Sequence, residues 1–71
     1  MPSPIPLKLL LRVIGKNGFV LISQKGSHAK FRKKSNPPLT TIVKMSEKEI
    51  PFGTFRAILQ QTNLTEKDFR K

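Results

Sequence analysis

His28, the only histidine in the chain, stands two residues before Lys30 and four before Arg32. Side chains alternate faces along an extended strand, so these three project from one side while Ala29, Phe31 and Lys33 project from the other. An imidazole titrates near neutrality, and fixed positive charge beside it attracts a polyanion. On an open surface the pair suits proton transfer at a nucleic-acid phosphate. When RNA is cleaved without a metal, the ribose 2′-hydroxyl attacks the adjacent phosphorus. That step needs a base, positive charge against the phosphorane, and a proton for the departing 5′-oxygen. His28 fits the first role. Lys30 and Arg32, with Lys44 from a neighbouring strand, fit the second. No second histidine exists to act as acid; protonated lysine, water or a partner residue must serve, which predicts slow turnover.

The charge balance points the same way. With 14 Lys+Arg against 4 Asp+Glu, the 71 residues carry +10 at pH 7, and Lys30, Arg32, Lys33 and Lys34 are clustered. An excess of this kind costs stability by self-repulsion and implies a polyanionic partner, nucleic acid ahead of a membrane surface or an acidic protein. There are no cysteines, so disulfides, thiolate metal sites and a thiol nucleophile are excluded. The prolines at 2, 4 and 6 interrupt any signal-peptide pattern, and no apolar run approaches the ~20 residues of a membrane span. A cytoplasmic protein is expected, with no cofactor, no metal site and no membrane contact. Glu47 and Glu49 lack a further histidine or aspartate to complete a metal site, and Ser27 lacks the base and orienter of a serine nucleophile.

The elements that must position His28 follow from periodicity. Leu7, Leu10, Leu11 and Ile14 have the spacing of one helix face, widened by Leu9 and Val13, and Asn17-Gly18 is a stop signal. Phe19 to Ser23 reads as a strand, Lys25-Gly26 as a turn, and Ser27 to Lys33 as the central strand. Ser35-Asn36-Pro37-Pro38 ends the pairing, and Leu39 to Met45 is a third strand. Ser46 to Gly53 reads as a polar connection. Thr54 opens a second helix whose inner face is Phe55, Ile58, Leu59 and Thr62, with Asn63 closing it. Thr65 to Asp68 resembles a capping arrangement for a last turn anchored by Phe69. The expected fold class is α+β: an α-β-β-β-α chain with two helices on one face of a three-stranded antiparallel sheet and water on the other. The whole of 1–71 is expected to be one domain, frayed over 1–5 and ending in a short turn over 64–71. The five phenylalanines are expected in the core.

Gly18-Phe19, then Lys25-Gly26-Ser27-His28 followed by Phe31, then Pro51-Phe52-Gly53-Thr54-Phe55-Arg56-Ala57-Ile58-Leu59, in this order and spacing, resemble the HicA toxin family of type II toxin-antitoxin systems. The resemblance runs from Leu7 to Phe69. It implies a double-stranded-RNA-binding-domain-like fold, metal-independent cleavage of mRNA, and inhibition by a HicB-like antitoxin. By the same resemblance His28 matches the catalytic histidine. Lys25, Gly26, Ser27, Lys30, Arg32, Lys33 and Lys44 around it are the expected RNA-binding residues, from their charge and their place beside His28 in the chain or on a neighbouring strand. Where many members carry a Val-Pro-x-His segment, this chain has Ile42-Val43-Lys44-Met45, so the second histidine is absent.

Three functions fit these residues: a ribonuclease toxin with His28 as base, a non-catalytic RNA-binding module reading duplex shape, and a basic protein-interaction domain. On the toxin reading, an acidic antitoxin is expected to cover the strand face around His28, occluding substrate and relieving the self-repulsion.

Overall fold

The computed structural model describes residues 4–69. Strand β1 (Ile5–Pro6) runs directly into helix α1 (Leu7–Lys16). The predicted stripe is the buried one: Leu10, Val13 and Ile14 are buried, and Leu7, Leu9 and Leu11 are half-buried. Asn17 closes the helix by donating from Nδ2 to the Val13 carbonyl at 2.8 Å. Gly18 follows at φ +94, a conformation that costs glycine little. Strands β2 (Phe19–Lys25), β3 (His28–Lys33) and β4 (Leu39–Lys44) form an antiparallel sheet in the order β2-β3-β4. A connection over 45–48, strand β5 (Glu49–Ile50), helix α2 (Phe52–Thr62) and a 3-10 turn over Glu66–Phe69 complete the described chain.

Both helices lie on one face of the sheet, α2 chiefly against β4 and α1 against β2. Along β3 and β4 burial alternates with the pleat: Ala29, Thr41 and Val43 are buried, and His28, Lys30, Arg32, Ile42 and Lys44 are exposed. The expected arrangement, helix, three-stranded meander, helix, is therefore the observed one, and its order matches a double-stranded-RNA-binding-domain-like fold. The core joins Leu10 and Ile14 of α1, Phe19, Val43 and Ile50 of the strands, and Phe55 and Ile58 of α2. Phe19 and Phe55 are buried, while Phe31, Phe52 and Phe69 pack against this cluster half-buried. Phe69 meets Phe55 edge to face, ring centroids 4.9 Å apart, as its anchoring role requires. Polar groups inside are satisfied. Thr41 Oγ1 donates to Gln61 Oε1 at 2.6 Å across the β4–α2 interface, and Thr62 Oγ1 to the Ile58 carbonyl at 2.8 Å.

Several boundaries differ from the expectation, each for a local reason. Ile5 is not frayed: β1 pairs antiparallel with β5, Ile5 opposite Ile50, and the Leu7 N–H donates to the Lys48 carbonyl at 2.8 Å. Residues 1–3 of the segment expected to fray lie outside the described residues, as do 70 and 71 of the closing turn. The connection over 46–53 thus contains a strand, because Ile50 is drawn to 1 % exposure in the core. Helix α2 begins at Phe52 rather than Thr54. Pro51 supplies φ −58 at the N-cap, and Gly53 falls in a first turn whose N–H groups have no intrahelical partners anyway. Strand β2 reaches Lys25, two residues beyond its expected end, so the turn is Gly26-Ser27. Asn63 closes α2 at φ 60, and Asp68 Oδ2 accepts from the Thr65 N–H at 2.8 Å, as anticipated for both.

The core is small, so it has little redundancy. Phe55→Ala removes a ring that is 1 % exposed and is expected to cost about 3–5 kcal/mol of unfolding free energy. That is most of what a chain of this length holds in reserve. Urea denaturation followed by circular dichroism measures it; a loss below about 1 kcal/mol would show that Phe55 does not carry the core.

Candidate nucleic-acid interface

The site is built by the tight connection between β2 and β3. Gly26 takes φ +60, the left-handed value that a two-residue hairpin requires at its first position and that glycine supplies most readily. Its carbonyl accepts from Gln24 Nε2 at 3.1 Å. Ser27 is half-buried, and its own carbonyl accepts the Met45 N–H at 2.6 Å. The turn is thereby tied to the far end of β4, and His28 emerges as the first residue of β3 with its position defined from both sides.

Register then decides who its neighbours are. His28 stands opposite Lys25 on β2 and opposite Lys44 on β4. Directly opposed residues share a face with Cβ atoms about 5 Å apart, so the imidazole lies in a row between two ammonium groups. The next row on the same face is Ser23, Lys30 and Ile42, and the third is Val20, Arg32 and Thr40. Successive rows are about 6.6 Å apart along the strand. Arg32 Nε donates to Thr40 Oγ1 at 3.4 Å, which steadies the guanidinium over the sheet. His28, Lys25, Lys30, Arg32 and Lys44 are all exposed. The imidazole is not tucked among the phenylalanines and leucines under the helices.

Of the residues singled out in the sequence, the structure gathers Lys25, His28, Lys30, Arg32 and Lys44 on one face and places Gly26 and Ser27 in the turn that presents them. Lys33 is separated from the group. It lies on the helix side of the sheet, half-buried, with its stem against Gly18, where an added Cβ would meet Lys33 Cγ and Cε at 3.6 Å. Its aliphatic part serves as packing. Sequence reasoning missed Thr40 as the partner of Arg32, and Ser23 and Ile42 as members of the middle row. The hairpin length alone pairs Lys25 with His28, but β2 carries an irregularity between Leu21 and Ser23 that shifts the register of everything before it. No short-range signal marks that bulge.

All four acidic residues, Glu47, Glu49, Glu66 and Asp68, fall outside the three strands, so the exposed face is uniformly positive. Among the described residues no group of three or more histidine, aspartate or glutamate side chains could hold a metal ion, and no helix is long and apolar enough to cross a membrane. The face is suited to hold a polyanion across three strands and to exchange a proton at one rim.

No match emerges among curated proteins. A family model described as HicA toxin of bacterial toxin-antitoxin matches residues 8–64, a span that takes in the whole of the three-stranded sheet, all of α2 and all of α1 but its first residue. On that match, the chain belongs to the HicA toxin family of bacterial toxin-antitoxin systems.

Proposed function

We propose that this toxin is an endoribonuclease that cleaves mRNA without a metal ion, with His28 as the proton-transfer residue, and that a HicB-like antitoxin restrains it. The observation carrying this reading is the row Lys25, His28, Lys44: one exposed imidazole at the rim of a basic sheet face, with a cation directly opposite on each side. Neutral His28 takes the proton from a ribose 2′-hydroxyl as the oxygen attacks the adjacent phosphorus. The P–O5′ bond breaks, leaving a 2′,3′-cyclic phosphate and a 5′-hydroxyl. On this reading Lys25 and Lys44 oppose the charge that builds on the phosphorane oxygens, and Lys30 and Arg32 continue the cationic track for neighbouring phosphates. The 5′-oxygen takes its proton from a lysine ammonium or from water, since the chain has one histidine only. The metal-free reading is supported by the donor chemistry of this face, which offers nitrogen cations and one imidazole but no carboxylate.

Replacing His28 separates an enzyme from an RNA-binding module. His28 is exposed, so His28→Ala is expected to leave the fold intact and to lower the cleavage rate roughly 100-fold or more, while RNA affinity is retained. Cleavage at the unaltered rate would leave only a binding module. Saturating EDTA is expected not to change the rate; loss of cleavage restored by added magnesium would overturn the metal-free mechanism. Binding of a short non-cleavable RNA is expected to weaken steeply with salt, and Lys44→Ala to reduce the slope of log affinity against log salt by about one. A plot indifferent to salt would refute phosphate recognition by this face.

A further inference from the structure

Strand β2 is the least covered strand of the three-stranded sheet. Among the described residues β2 and β4 each pair with β3 alone, but β4 carries α2; the outer side of β2 presents backbone N–H and C=O groups with no strand partner. The side chains along that edge are aliphatic: Val20 is 60 % exposed, Leu21 52 % and Ile22 44 %. Val20 belongs to the open face, opposite Arg32. Leu21, opposite Phe31, belongs to the helix face, and even there the helices leave it half uncovered. Beyond Phe19, which is buried in the core, every residue of the strand is exposed. Edge strands of stable monomers are generally shielded by charges, proline or a covering loop. From Phe19 to Gln24 this one has no charge and no proline, only the bulge near Ile22.

We infer that β2 is the docking edge for an extended, acidic segment of a partner protein, which adds to the sheet as a fourth strand beside Phe19–Ser23. As the antitoxin's point of attachment, this rests on the toxin-antitoxin reading above. The chemistry selects the occupant. A polypeptide backbone can satisfy an unpaired strand edge, and apolar side chains at alternate positions can cover Val20 and Leu21 on the two faces. RNA offers neither, and this edge exposes no aromatic ring on which a base could stack. A second copy of the chain would bring another +10 against Lys25 at the same edge and Arg32 one strand further in. An acidic strand neutralises those cations instead, and since Lys25 ends β2 opposite His28, the segment would also stand at the margin of the candidate site.

The test uses the isotopically labelled full chain and a capped peptide of alternating glutamate and valine. Saturable amide shifts centred on Phe19–Ser23 are expected, with slower hydrogen exchange there. Leu21→Asp and Val20→Asp, both at exposed positions, should each weaken peptide binding roughly tenfold without altering the circular dichroism spectrum. Absence of saturable shifts, or shifts centred on the His28 row and unaffected by either variant, would overturn the proposal. So would the same shifts produced by raising the chain's own concentration, which would assign the edge to a second copy, or by a short oligouridylate, which would assign it to RNA. Peptide binding is read without cleavage, so failure of the nuclease assay removes the enzyme reading and leaves this result standing, and the reverse holds equally.

Discussion

The registration of β3 against its two neighbours is the constraint on which the rest depends. Ala29 is buried on one side of that strand while His28, Lys30 and Arg32 stand in water on the other. A slip of one residue would push the imidazole and two cations under the helices and bring Ala29 and Phe31 to the surface. The core therefore enforces the site. Val43 and Thr41, buried on β4, hold the same phase, and the Thr41 to Gln61 hydrogen bond locks that strand to α2. Nothing in the cationic face needs to stabilise itself, and given its mutual repulsion it could not.

This division explains how so basic a chain can fold at all. Its positive charge is kept on a surface where water and counterions screen it, and the interior is assembled from a few large apolar side chains and two threonines with satisfied hydroxyls. The buried core and the exposed cations occupy opposite faces of the same three strands. A polyanion on the open face would relieve the repulsion, so binding and folding reinforce each other.

Much of this was legible in the sequence, because the signals were periodic. The stripe of α1, the alternation in β3 and β4 and the inner face of α2 follow from spacing alone, and so does the grouping of His28 with Lys30 and Arg32. What was not legible depended on long-range or irregular geometry. The pairing of Ile5 with Ile50 joins two segments too short to show a period. The bulge in β2 carries no turn residue to announce it. Lys33 shows the limit of residue type as a guide: its charge suggested a phosphate contact, yet alternation put it on the helix side, where its methylenes matter more than its ammonium group.

The small ladder between β1 and β5 has a consequence for the order of assembly. The three-stranded meander brings together residues close in the chain, at little cost in loop closure, whereas the clasp of Ile5 on Ile50 encloses most of the polypeptide. Closing so large a loop costs more chain entropy than any pairing within the three-stranded meander. Emerging from a ribosome, the chain can lay down its cationic face early, but it cannot shut its own core until the segment around Ile50 has been synthesised and delivered to the waiting amino-terminal strand.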